Sequence, residues 1–278
     1  MKAPINRIIA FSNVDGPGNR MAIFFQRCPF KCLYCHNPET INDCIHCGVC
    51  VKHCPVDALS MVDGKVMWDK KRCVSCDTCL KVCPNLSTPK ITYYDEDELF
   101  KMVAEEQDFI SGITVSGGEC MEHAAYLTGL FAKVKTLGKT CFIDSNGDHL
   151  FANYPELCAL MDMVMLDVKA FEPIDHQNLC GKDNQRVLEN LAYLQKINKL
   201  YEVRTVMLPN NPALNERTLR GTIAHLAPHI RYKLIKYRPF GVRQAGLEKL
   251  GNTITSDEEI QRLAQIAREL GHENVVIV

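Results

Sequence analysis

The chain has 278 residues, a formal net charge of −1 and 15 cysteines. That length serves one large core plus a small inserted module, and the balanced charge, with Lys and Arg scattered, excludes a nucleic-acid or anionic-membrane surface. No apolar run approaches the roughly 20 residues of a membrane span, and cysteines at metal-ligand spacing without a secretory signal point to a reducing cytoplasm rather than a disulfide framework. In chain order, apolar β-rich segments over 7–11 and 21–26 flank a turn at Asp15-Gly-Pro-Gly18, and a cysteine-rich stretch follows. After Pro89 the pattern changes to strands over 113–115, 140–143, 163–166, 202–208, 232–237 and 274–278. Between them lie amphipathic helices near 95–110, 122–137, 154–161, 183–199, 214–227 and 256–270. Short apolar strands alternating with helices of this length predict a parallel α/β architecture. Ser256 and Glu259 read as a capping box for the last helix, and Gly271 as its stop.

The cysteines fall into three runs. Cys28, Cys32 and Cys35 have the spacing C-x3-C-x2-C. Two copies of C-x2-C-x2-C-x3-C-P follow, Cys44, Cys47, Cys50 and Cys54 with Pro55, then Cys73, Cys76, Cys79 and Cys83 with Pro84. A cubane has four irons, so three thiolates leave one iron open for chemistry, whereas four close the cluster for electron transfer. In a ferredoxin pair the fourth cysteine of each run ligates the other cluster, which assigns Cys44, Cys47, Cys50 and Cys83 to one and Cys73, Cys76, Cys79 and Cys54 to its twin. Paired four-cysteine zinc sites are the competing reading, because C-x2-C knuckles also bind zinc.

Ligands of βα folds gather at the carboxyl ends of the strands. There the sequence places Ser116-Gly117-Gly118-Glu119, Asp144-Ser145-Asn146-Gly147 and Asp167-Val168-Lys169, with Arg204 inside the next strand. Paired glycines allow close approach of backbone to a ligand, Glu119 suits an ammonium group, and Arg204 offers a fork to a carboxylate. Each also has a plain reading as a turn, a hairpin or a surface ion pair.

Cys28-x3-Cys32-x2-Cys35, with Tyr34 before its last cysteine, resembles the signature of radical S-adenosylmethionine enzymes. Phe11 to Gly18 with Arg20, the trailing His36-Asn-Pro38 and the cysteine insert resemble the glycyl radical enzyme activases over essentially the whole chain, and the short step from Cys35 to Cys44 is most like the YjjW-type subgroup. The resemblance implies a partial (β/α)6 barrel of the TIM-like kind from 1–38 and 90–278, with a bacterial-type ferredoxin module carrying two [4Fe–4S] clusters at 39–89. It implies three [4Fe–4S] clusters in all, with Cys28, Cys32 and Cys35 holding the catalytic one and S-adenosylmethionine on its open iron. Ser116 to Glu119 would bind the methionine amino group, and Tyr34, Cys35 and His36 would line the adenine pocket through their backbone. Asp144, Ser145, Asn146, Asp167 and Val168, with the carbonyl of Met165, match the cofactor and monovalent-cation positions of relatives, while Lys169 and Arg204 supply positive charge. Reductive cleavage would then give a 5′-deoxyadenosyl radical that takes a hydrogen from a backbone glycine of the partner. The implied partners are a glycyl radical enzyme, met transiently by a monomer, and flavodoxin or ferredoxin as donor.

In place of the histidine that many relatives carry after the last strand, this chain has Arg238 in Tyr237-Arg238-Pro-Phe-Gly241, with Arg243 nearby. Cys120, Cys141, Cys158 and Cys180 read mainly as small buried hydrophobes. His46 and His53 flank the insert cysteines, and Trp68 reads as packing for the module. A radical enzyme acting on a small molecule or peptide, and a pure electron-transfer adaptor, are the alternative readings.

Overall fold

The computed structural model describes residues 1–278. Its strands are β1 (Lys2–Ser12), β2 (Arg20–Phe25), β3 (Leu59–Val62), β4 (Lys65–Trp68), β5 (Thr92–Asp95), β6 (Gly112–Gly117), β7 (Thr140–Ser145), β8 (Met163–Asp167), β9 (Leu200–Met207), β10 (Arg231–Lys236) and β11 (Val275–Ile277). Nine of them form one sheet in the order β11-β10-β9-β8-β7-β6-β2-β1-β5. From β2 to β11 every neighbouring pair is parallel, whereas β1 runs antiparallel to both β2 and β5.

The six expected helices are present as Glu96–Glu105, Ala124–Lys135, Pro155–Leu160, Gln185–Lys196, Pro212–Ala224 and Asp257–Glu269, each slightly shorter than its pattern. Four further helices, Val49–Lys52, Thr78–Lys81, Pro173–Cys180 and Gln244–Leu250, were not expected, nor were β3, β4 and β5. At Asp257–Glu269 only half of the capping box forms: Ser256 Oγ accepts from Glu259 N at 3.1 Å, while the Glu259 carboxylate turns to Asn215 and Arg262. The reciprocal box belongs instead to Asp95 and Glu98, which open Glu96–Glu105.

The main core gathers 53 buried residues from the sheet and its helices. A separate small cluster of Cys50, Leu59, Val66 and Cys79, with Trp68 packed on it, lies under the β3–β4 hairpin. The chain enters and leaves this segment at one place. Asn42 N donates to Leu86 O at 3.1 Å, Asn42 Nδ2 to Asn85 O at 2.8 Å, and Asn85 Nδ2 to Asp43 O at 2.8 Å. This pinch lies a few residues inside the boundaries 39 and 89, because the carbonyls of Glu39 and Thr40 bond back to Gln26 and Arg27 of the large unit.

Candidate active site

The three-cysteine run is a loop leaving β2, and its backbone is tied to four places in the chain. Cys28 N donates to Ile41 O at 3.0 Å, Lys31 N to Cys180 O at 2.8 Å and Leu33 N to Leu179 O at 2.9 Å. Arg243 Nη2 donates to the carbonyls of Lys31 and Cys32, each at 3.1 Å. Arg243 therefore grips the cysteine loop. Arg238 does not: it is exposed, and its recorded link to the site is its carbonyl, 2.9 Å from His36 Nε2.

Asn146 Nδ2 reaches Cys28 Sγ at 3.5 Å. Cys180, the last residue of its helix rather than part of a loop, is fully buried beside Cys32. Its thiol holds Cys32 down to about 7, whereas burial pushes Cys35 up to about 11 and Cys28 higher still. The Cys180 contact was not legible in the sequence, since 148 positions separate the two thiols (180 − 32). Tyr34 is buried, its hydroxyl has no hydrogen-bond partner, and the Lys169 ammonium sits 5.9 Å from its ring centre.

The two glycines at the end of β6 make a close contact with the chain. A Cβ on Gly117 would lie 2.2 Å from Phe25 N, and one on Gly118 would lie 2.2 Å from Arg27 O. The close approach is thus backbone to backbone. Gly118 N donates to Phe25 O at 2.9 Å and Glu119 N to Arg27 O at 2.7 Å, which seats this loop against the cysteine loop.

Glu119 is held between two loops. Its buried carboxylate accepts from Met121 N at 3.1 Å, Ser145 Oγ at 2.9 Å and Asn146 N at 2.7 Å. It therefore clamps the β6 and β7 loops together and presents no open face to an ammonium group. Ser145 is consumed in the same clamp, since its Oγ also accepts from Gly147 N at 3.0 Å. Val168 is consumed too, giving its N–H to Arg204 O and its carbonyl to Thr205 Oγ1.

Burial raises the Glu119 carboxyl from 4.5 to about 7, against the hydrogen bonds that favour its charge. The native state then binds more protons than the unfolded chain between these values, so stability falls as pH rises through that window. The shift corresponds to about 3 kcal/mol at most. Thermal unfolding from pH 4.5 to 7.5 should show this loss in the parent and not in Glu119→Gln; parallel curves would refute it.

The polar side chains at the strand ends form two bonded groups on neighbouring strands. Asp144 Oδ2 accepts from Ser116 Oγ at 3.1 Å and from Arg204 Nη1 at 2.9 Å. Asp167, paired in register with Arg204, accepts from Lys169 Nζ at 2.7 Å. Burial raises the Asp144 carboxyl, with Arg204 pulling the other way. Burial also works against the charges of Lys169 and Arg204, yet Asp167 holds the first, and Asp144 with Glu202 the second, above their ordinary values. Asp144, Asp167, Lys169 and Arg204 thus bring opposite charges to one side of the sheet in a dry setting, where ion pairs orient ionic ligands strongly. Cys120 is buried beside the first group, its Sγ 3.6 Å from Asp144 O, while Cys141 and Cys158 are core residues.

In the insert, Cys44, Cys47, Cys50 and Cys83 line one small cavity, and Cys54, Cys73, Cys76 and Cys79 line another. His46 Nδ1 accepts from Val66 N at 3.1 Å and His53 bonds Val49 O, so both histidines serve the backbone.

A family model described as a 4Fe-4S single cluster domain matches residues 14–188. A Haemophilus influenzae protein provisionally named glycyl-radical enzyme activating enzyme is 32% identical over 99% of this chain and 96% of its own length. The chain belongs to the glycyl-radical enzyme activating enzymes. Another relative, the choline trimethylamine-lyase activating enzyme of Oleidesulfovibrio alaskensis, is 30% identical over 96% of each chain. The fold of this activating enzyme is of the radical S-adenosylmethionine type: a radical SAM methyltransferase from Sphaerobacter thermophilus superposes with a TM-score of 0.52 at 12% identity, covering all of this chain and 76% of the other. No helix is long and apolar enough to cross a membrane.

Proposed function

We propose that this activating enzyme carries a [4Fe–4S] cluster on Cys28, Cys32 and Cys35 and uses S-adenosylmethionine to install a glycyl radical in a partner enzyme. The observation that carries the reading is the meeting of the three-cysteine loop with the charged strand ends, joined through Asn146 on Cys28 and the glycine loop on Arg27. When bound, the cluster would supply one electron that breaks the sulfonium's C–S bond, releasing methionine and leaving a 5′-deoxyadenosyl radical to take a hydrogen atom from a backbone glycine, giving 5′-deoxyadenosine and the glycyl radical.

The protein's own residues bind and orient. The buried, unpartnered Tyr34 hydroxyl and the Lys169 ammonium above its ring stand ready for a polar ligand beside the cysteines. Asp144 and Asp167 suit an ammonium group or a monovalent cation, and Lys169 and Arg204 suit a carboxylate. The glycine loop contributes backbone through Ser116 to Gly118 rather than the Glu119 carboxylate. We read the sheet as an opened barrel whose gap admits a loop of the partner, and residues 39–89 as a two-cluster ferredoxin module that passes electrons inward. The two four-cysteine cavities support that module.

The test is anaerobic reconstitution with S-adenosylmethionine, reductant and a glycyl radical enzyme encoded beside this chain, read by electron paramagnetic resonance. A glycine-centred doublet, lost in Cys32→Ser, is expected; cleavage of the cofactor without a doublet on any such partner would favour a small-molecule substrate. In the same assay Cys47→Ser and Cys76→Ser should slow activation by reduced flavodoxin more than by dithionite. Equal slowing would refute the relay.

A further inference from the structure

Trp68 is the one tryptophan of the chain and closes β4. Its Nε1 is buried and has no hydrogen-bond partner. Leaving an N–H buried and unpaired is unfavourable, so such a donor points to an acceptor that the polypeptide does not supply. The indole lines the cavity of Cys54, Cys73, Cys76 and Cys79, and so does Lys90, whose ammonium is held by Asp77 at 2.6 Å. The cavity of Cys44, Cys47, Cys50 and Cys83 has neither an indole nor an ammonium; Ser87 is the side-chain donor on its lining. Position 39, the counterpart of Trp68 five residues before the first cysteine of the other run, is a glutamate.

We propose that Trp68 donates its N–H to a sulfur of the cluster held by Cys54, Cys73, Cys76 and Cys79 and, with Lys90, makes that cluster the more easily reduced of the insert pair. The inference rests on reading the insert as a two-cluster module. Reduction adds one negative charge to a cluster, and a donor to its sulfur or a nearby cation favours the reduced form. The first electron from a low-potential one-electron carrier settles on this cluster; each cluster has one exposed cysteine, Cys76 here and Cys47 in the twin, so the donors rather than exposure set the order. The electron then passes to the twin, whose Cys44 follows the Ile41 carbonyl that accepts from Cys28 N.

Potentiometric titration of the anaerobically reconstituted full chain tests this. Trp68→Phe and Lys90→Met should each lower the midpoint of the same insert signal and leave the other in place. A tenfold change in electron occupancy is expected for Trp68→Phe, which is about 59 mV for a one-electron couple. Unchanged midpoints with both clusters intact would overturn the assignment. Because the tryptophan is unique, wild-type protein carrying 15N-indole gives a second readout: pulsed resonance should show 15N coupling to one reduced insert cluster. Its absence from both would also overturn the proposal, even where Trp68→Phe fails to assemble. A wild-type chain with well under the about twelve irons of three cubanes would instead refute the two-cluster reading.

Discussion

Gly118→Ala should abolish assembly of the catalytic cluster. The added methyl would sit 2.2 Å from Arg27 O and 2.8 Å from Thr40 O, both backbone atoms of the segment that carries Cys28. Neither can move without breaking the bond from Glu119 N to Arg27 O, or that from Arg27 N to Thr40 O at 2.8 Å. Overpacking of this kind costs about 3 kcal/mol or more, which lowers the melting temperature by roughly 6–12 °C in a chain of this size. Reconstituted Gly118→Ala should lose the iron bound by Cys28, Cys32 and Cys35 and all cofactor cleavage. A variant with full iron content and parent-like melting would show that the loop can slide, and the contact would not be limiting.

Glu202→Leu should be the most destabilising single change on the charged face of the sheet. Glu202 is 1% exposed. Its Oε1 meets Arg204 Nε and lies 2.9 Å from Lys233 Nζ; Oε2 lies 3.0 Å from Arg231 Nε, a charge contact without hydrogen-bond alignment. Burial works against its charge, but Arg204 and Lys233 keep the carboxyl below its ordinary range. Removing one partner of a buried ion pair costs about 3–5 kcal/mol, because the remaining charges stay buried without compensation. Here three cations would be left side by side. Glu202→Leu with Lys233→Met should recover part of the loss, as coupled neighbours do in a double-mutant cycle. Arg204 would also lose the partner that steadies it against Asp144, so binding of S-adenosylmethionine, measured by equilibrium dialysis, should weaken. A loss below about 1 kcal/mol would mean that water replaces the carboxylate at low cost.

The parallel strands were legible because each is a short apolar run bounded by polar or glycine residues, the signal of a strand buried on both faces. β5 was not: it is four residues long, and its pairing with β1 (Pro4 opposite Tyr93) is set by position in the sheet rather than by its own pattern. The helices Pro173–Cys180 and Gln244–Leu250 are short, and both pack beside the cysteine loop, where tertiary contact outweighs local propensity. Within the site, Asp144, Asp167, Lys169 and Arg204 were legible as residue types at strand ends. Their pairing was not, nor was the way Glu119, Ser145 and Val168 are spent on one another and on the backbone. A carboxylate after two glycines reads the same whether it faces a ligand or the next loop. Only the distances to Met121 N and Asn146 N distinguish the two.

The hydrogen-bonded pinch at Asn42, Asn85 and Leu86 bears on how the segment tolerates a change of length. Because the segment leaves and rejoins the chain at a single point between β2 and β5, its length is invisible to the strand pairing around it, the condition under which domain insertions are tolerated. An insertion or deletion within the segment would therefore leave the register of the sheet and of the three-cysteine loop unchanged.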